Sequence, residues 1–395
     1  MLLAVALLAP PAASLDGFDQ GEPLSHHYTV WLDQQKLPIL AAFEELAHKL
    51  DRDRDKVLTV EELAATAKRL PGNLRVDLAD YTLGLAHELT GTPSIYATGY
   101  PDAAQVEETL WQLADAHADR AKLILLGRTV EGRPVHALRV SKGDGVERPK
   151  LAVVAHQHAR EWMSHQAALV TLRALLQDPA NADLLEAFDF WFVPLANPDG
   201  YEYSRRHEPM WRKNRGPTSL AGARGVDLNR NFEADFRPAS DQPDSTDDDW
   251  GASDRPHSAM YRGAHAGSEP ETRFLQALLD LPDLVGVVDV HGFGCKIVLP
   301  DEVRTDEGLY RKAAQSMLEA LGSEYEILRY RELYPISGHL AAYADQRGAV
   351  AITLEVGQSF QPHPTKIERV AGQAARGVLA FARAIRSERS FPAMR

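Results

Sequence analysis

Residues Leu151 to His165 read Leu-Ala-Val-Val-Ala-His156-Gln-His158-Ala-Arg160-Glu161-Trp162-Met-Ser-His165. The stretch opens as a continuous apolar run, the pattern of a strand buried on both faces. A helix is predicted to begin near Trp162. A buried strand running straight into a helix is the repeating unit of an α/β sheet. Polar side chains at such a turn lie at the C-terminal end of the strand, where these sheets place their chemistry. His158 and Glu161 are three apart at this turn and can converge on one ion. Zinc takes imidazole nitrogen and carboxylate oxygen in catalytic sites, and two histidines, one glutamate and a water form one standard set. His156 competes as a ligand but has no carboxylate three residues on. By itself the pair is a weak signal, equally a surface pair or a helix cap.

Outward from this stretch the pattern alternates. VEETLWQLADAHA reads as a helix, and KLILLGRT, PVHALRVS and FDFWFVPLAN read as strands. Further on come a helix at ETRFLQALLD, a strand at LVGVVDVHG, a helix at GLYRKAAQSMLEAL, a strand at AVAITLEV and a last helix from Ile367 to Ile385. The alternation predicts an α/β domain with helices on both faces of a sheet. His291 is the best third ligand, because it also ends an apolar strand. Glu355 lies on another apolar strand, where an unpaired carboxylate is costly and a functional reading is favoured.

The N-terminal part reads differently. MLLAVALLAPPAAS, Met1 to Ser14, has the apolar run and small residues of a signal peptide without its basic start. The expectation is a leader over residues 1–15 and a secreted or periplasmic protein. Residues 16–95 are expected to be a helical region, with a helix from Leu37 to Leu50 and another at ELAATAKRL. Between these helices Asp51, Asp53, Asp55, Val57, Thr59 and Glu62 fall on positions one, three, five, seven, nine and twelve of a loop similar to an EF-hand, a pattern that can hold calcium. Lys56 replaces the usual turn glycine. The alternative is a charged turn that binds nothing. A linker follows from Gly91 to Pro101, the main domain is expected over 96–388, and 389–395 form a tail. The acidic loop Ser240–Trp250 reads as solvated. The single cysteine, Cys295, excludes an intramolecular disulfide. The net charge of −13 argues against nucleic acid as a partner. No run is apolar for the length of a membrane span.

Ordered motifs surround the metal pair: His158-x-Arg160-Glu161, Asn197-Pro-Asp-Gly200, Trp211-Arg212-Lys213, Gly225-Val-Asp227-x-Asn229-Arg230-Asn231, Ser268-Glu-Pro-Glu271, His291, Tyr334-x-x-Ser-Gly338 and Glu355. Over roughly Tyr100 to Ile385 the chain closely resembles the zinc carboxypeptidases of the carboxypeptidase A type. The resemblance implies a mixed central β-sheet flanked by helices, one zinc ion on His158, Glu161 and His291, and peptide or protein C-termini as partners. It implies that Arg230 with Asn229 anchors the terminal carboxylate, a task suited to a bidentate guanidinium. Arg212 would polarise the scissile carbonyl, Arg160 would contact the substrate backbone, and Tyr334 would close over the substrate. Glu355 would be the general base, and Asp227 would orient His158 through its free ring nitrogen.

For specificity, the resemblance places Ala341 and Thr353 in the side-chain pocket. The small, uncharged Ala341 motivates an apolar preference. Lys296 and Arg329 motivate an acidic one, unless both are surface cations. Two other readings remain: a peptidoglycan amide peptidase or N-acyl amino acid deacylase of the same fold, and a calcium-dependent binding protein with an inactive peptidase domain.

Overall fold

The computed structural model describes residues 24–32, 35–40, 54, 57–58, 99–237, 251–334, 336–362 and 364–388. They fall into two compact units, one holding the N-terminal strands and Tyr203–Met210, the other Gly99–Glu202 and the residues from Trp211 on.

In the first unit β1 (Leu24–Leu32), β2 (Gln35–Leu40) and β3 (Val57–Leu58) form a sheet in the order β2-β1-β3. The helix expected from Leu37 is corrected over its first residues. Leu37 pairs with Val30 and Pro38 with Thr29 in an antiparallel ladder. Leu37 and Ile39 flank Pro38 with a spacing that suits a strand as well as a helix start, and the partner across a short connection decides the matter. Of the calcium-loop residues, Val57 lies in β3, parallel to β1. Asp51, Asp53, Asp55, Thr59 and Glu62 lie outside the described residues, as do the leader, the second N-terminal helix, 389–395 and all but the last stretch of the linker.

The second unit is built on an eight-stranded mixed sheet. Its strands are β4 (Ala121–Arg128), β5 (Pro134–Val140), β6 (Lys150–Ala155), β7 (Asp189–Val193), β8 (Leu284–His291), β9 (Lys296–Leu299), β10 (Glu326–Arg329) and β11 (Val350–Glu355). The order is β10-β9-β11-β8-β6-β7-β5-β4. Helices α1 (Ala103–Ala116), α2 (Trp162–Gln177), α3 (Ala182–Ala187), α4 (Pro198–Arg206, of which the part from Tyr203 belongs to the first unit), α5 (Pro270–Leu279), α6 (Glu307–Leu321), α7 (Tyr330–Leu333), α8 (Leu340–Asp345) and α9 (Ile367–Glu388) complete it. The expected fold class holds, and every strand and helix read from the periodicity of this part is present. The short strands β9 and β10 at one side of the sheet and the short helices α3, α4, α7 and α8 are additions. They are too short to show a period.

Local chemistry explains the helix ends. Asp102 accepts from the Gln105 N–H at 2.8 Å and Gln105 returns the bond to the Asp102 N–H, a capping box that starts α1. Asp306 caps α6, which stops at Gly322 with φ +101°. Along α9, Val370, Ala371, Ala374, Ala375, Val378 and Phe381 form a buried stripe at three- and four-residue spacing. Its small residues let α9 pack closely against both α6 and α2.

The sheet also sets the site. Strands β11, β8 and β6 are adjacent and parallel, and every residue of β6 and β8 is buried. In register, Glu355 lies beside His291, and Ala155 beside Val290. Three strands therefore end level, and their last residues and loops share one edge.

One buried carboxylate lies away from that edge. Glu271, at the start of α5, accepts from Asn214 Nδ2 at 3.1 Å, while its other oxygen is buried without a partner among the described residues. Burial first, then Glu269 and Asp199, push its carboxyl up to about 7. The unfolded chain ionises this group at ordinary carboxylate pH while the folded chain keeps the proton. Stability is therefore lost as pH rises towards 7. Glu271→Gln keeps the shape without the charge. Its urea midpoint is expected to exceed the parent's near pH 8 and to match it near pH 5. Equal midpoints at both values would remove the effect.

Candidate metal centre

His158 lies in the loop after β6, Glu161 is the N-cap of α2, and His291 ends β8. All three side chains are buried, and their ligand atoms lie within 4.8 Å of one another. His158 Nδ1 is 2.7 Å from Glu161 Oε1, His291 Nδ1 is 2.9 Å from Glu161 Oε2, and the two Nδ1 atoms are 3.0 Å apart. The outer nitrogens face carboxylates: His158 Nε2 is 3.1 Å from Asp227 and His291 Nε2 is 2.9 Å from Asp289. In neutral imidazoles those outer contacts place the proton on Nε2. Two Nδ1 lone pairs and a carboxylate then converge, an acceptor set that calls for a cation. The donors suit zinc. Burial would raise Glu161, but the two imidazoles outweigh it and hold the carboxyl well below its ordinary range. Burial likewise opposes charge on His291, yet Asp289 and Glu161 raise it well above the ordinary imidazole value. His158 is lowered by burial and by Arg212. Metal binding here must release protons.

The surrounding motifs hold this loop in shape. Asn197 donates to the Gln157 and Lys213 carbonyls, and the Ala159 N–H donates to the Arg212 carbonyl at 2.9 Å. Asn231 donates to Arg262 O, His265 O and Ser268 Oγ, joining the Asn-Arg-Asn stretch to the start of α5. Gly225 has φ +78°, and a Cβ there would lie 2.2 Å from the Asn214 carbonyl oxygen.

The structure brings most of the expected residues together. Arg212 Nε donates to Asp227 at 2.8 Å, while its Nη2 is buried with no partner among the described residues. Asp227 thus holds His158 and Arg212 at once, and Arg212, then Arg230 and His158, keep its carboxyl well below its ordinary range despite burial. Arg160 stacks on Phe360, 4.4 Å from the ring centre, and burial and Arg212 bring it down to about 10. Arg230 is 1% exposed and donates to Tyr334 Oη at 3.3 Å. The Glu355 carboxylate takes no hydrogen bond from any donor of the described residues, and burial and Glu161 push it up to about 8. A dication in the triad would oppose that rise.

Two placements differ from expectation. Asn229 turns its amide to Asp289 (3.4 Å) and His291 (3.2 Å), and its oxygen accepts from the Leu340 N–H at 2.8 Å. It supports the metal centre, whereas Arg230 reaches Tyr334. Lys296 pairs with Glu326 at 3.0 Å, and Arg329 pairs with Glu307 and bonds two carbonyls. Both cations are neutralised beside the sheet edge. Ala341 is fully buried in α8.

Sequence reading missed Asp289. Its signal is a charge inside an apolar strand, two residues before His291 and so on the same face. Gln157 holds the other Asp289 oxygen at 2.8 Å. Asp289→Asn is expected to weaken zinc binding about 10- to 100-fold, measured by chelator competition. Unchanged affinity would leave Asp289 a packing residue.

This fold and this site define an α/β protein with a buried His-Glu-His metal centre of the hydrolase kind. The profile of the zinc carboxypeptidase family matches residues 106–377, and the chain belongs to that family. It is 31% identical over 252 residues to mouse carboxypeptidase A4, covering 59% of this chain and 56% of that protein. It is 32% identical over 209 residues to carboxypeptidase B of Helicoverpa zea, covering 51% and 46%. The chain thus spans about half the length of the curated relatives it matches. Its fold is similar to that of carboxypeptidase A from Helicoverpa armigera, with a TM-score of 0.68, 22% identity and 91% of each chain covered.

Proposed function

We propose that this chain is a zinc-dependent metallocarboxypeptidase that hydrolyses the C-terminal bond of peptides or proteins. The observation that carries the reading is the cation-demanding triad, with a Glu355 carboxylate and an Arg212 Nη2 that have no hydrogen-bond partner among the described residues. Zinc, when bound, supplies a Lewis acid and makes water acidic enough to act as a nucleophile near neutral pH. Arg230 anchors the terminal carboxylate through paired N–H groups, with Tyr334 beside it closing over the substrate. Asn229 donates to Asp289, which in turn holds His291. Arg212 Nη2 donates to the oxygen that gains charge as the carbonyl carbon becomes tetrahedral. Glu355 accepts a proton at a carboxylate oxygen from the attacking water and passes it to the departing amine. Arg160, fixed on Phe360, supports the backbone ahead of the scissile bond.

The calcium and export readings rest on sequence alone: an ion held by Asp51, Asp53, Asp55, Val57, Thr59 and Glu62, and a leader at Met1–Ser14. Among the described residues no helix is long and apolar enough to cross a membrane. The activity is tested by digesting a peptide mixture and reading the products by mass spectrometry. Single residues should leave from C-termini, stop with a chelator and resume with zinc. Internal cuts, or cleavage indifferent to the chelator, would refute the reading.

A further inference from the structure

Two polar side chains beside the centre, Tyr330 and His339, have no part in the mechanism above. Both are buried, as is Thr353. Thr353 precedes Glu355 by two residues on β11 and therefore lies on the same face. The Tyr330 hydroxyl bonds Thr353 Oγ1, and the Tyr330 and His339 rings pack with centroids 4.3 Å apart. His339 stands between Gly338, where a Cβ would lie 2.3 Å from the Arg230 carbonyl oxygen, and Leu340, whose N–H donates to Asn229 at 2.8 Å. The three groups thus lie among Arg230, His291 and Glu355. In any peptide held with its terminal carboxylate on Arg230 and its scissile bond at the metal centre, the carbon bearing the last side chain lies between those points.

The trio offers donors. His339 Nδ1 accepts from the Ala342 N–H at 3.4 Å, so in the neutral ring the proton is on Nε2. Burial first, then Arg230, brings His339 down to about 3, which keeps it neutral. Burial, with Asp289 adding, raises the Tyr330 phenol well above its ordinary value. Of the two hydroxyl hydrogens on Tyr330 and Thr353, one serves their mutual bond. The other, and His339 Nε2–H, meet no acceptor among the described residues. The nearby cations Lys296 and Arg329 are already paired.

We propose that Tyr330, His339 and Thr353 receive the side chain of the last substrate residue and select a neutral side chain with a hydrogen-bond acceptor, glutamine or asparagine. The proposal rests on the carboxypeptidase reading. An aliphatic side chain of equal length would leave the buried donors unmade. A lysine would add a charge next to Arg230 and bring no acceptor.

The test uses four peptides identical but for a last Gln, Met, Glu or Lys, with kcat/KM measured on the full chain loaded with zinc. Gln is expected to exceed Met about tenfold, to exceed Glu, and to exceed Lys most. Tyr330→Phe and Thr353→Val should each bring the Gln-to-Met ratio towards one. A Met or Lys peptide cleaved as fast as the Gln peptide would overturn the proposal, as would Glu ahead of Gln, or an unchanged ratio in both variants. Those outcomes leave the carboxypeptidase reading standing. Hydrolysis of none of the four peptides would refute that reading and the proposal with it.

Discussion

Glu355→Gln is expected to lower kcat by about 10²- to 10⁴-fold while the protein still binds one zinc and folds normally. The substitution keeps the shape of the side chain and removes only the proton acceptor. Glu355 is not one of the converging ligands, so zinc content should hold. Its carboxylate lies near Glu161, and burial and that neighbour raise it to about 8. A charge kept in such a place costs stability and is retained where chemistry uses it. The thermal midpoint of the variant should therefore equal or exceed the parent's. KM should change little, because Glu355 acts on the reacting water and not on the bound peptide. Near-parental turnover would remove Glu355 from the mechanism. Loss of zinc together with activity would make it a structural support of the centre.

Arg212→Ala is expected to cost about 10²- to 10³-fold in kcat, with a smaller change in KM. The buried Nη2 has no acceptor among the described residues, and the tetrahedral oxygen supplies one. A second effect follows from the bond between Nε and Asp227. Without it Asp227 loses one of the groups that fix it against His158, so some loss of zinc affinity should accompany the loss of rate. Arg212→Lys separates the two effects. It restores charge but not the two-sided geometry, and only part of the rate should return. If Arg212→Ala raised KM and left kcat intact, Arg212 would be a ground-state binding residue.

Much of this site was legible because the fold makes function sit at strand ends. His158, His291 and Glu355 each close or follow an apolar run, and the parallel register of β6, β8 and β11 brings those ends level. The ordered motifs carried Asp227, Arg212 and Arg230, since each stands next to residues whose bonds hold a loop. What escaped was whatever depends on side-chain direction across the fold. Asn229 adjoins Arg230 in sequence, yet its amide faces His291. Lys296 and Arg329 are cations in the right region whose partners, Glu326 and Glu307, come from other elements. Tyr330 and His339 lie in short segments without a period, and only the bond of Tyr330 to Thr353 and the packing of α8 on β11 bring them to that strand. At β2 the same short spacing suited a helix start and a strand, and pairing with β1 chose the strand.

The central claim is that the site reads a free C-terminus beside a metal. It is tested most directly by comparing one peptide as the free acid and as the C-terminal amide, following release of the last residue by mass spectrometry. The free acid should be cleaved at least about a hundredfold faster, because the amide leaves Arg230 buried without its anion. Equal rates for acid and amide would contradict the account.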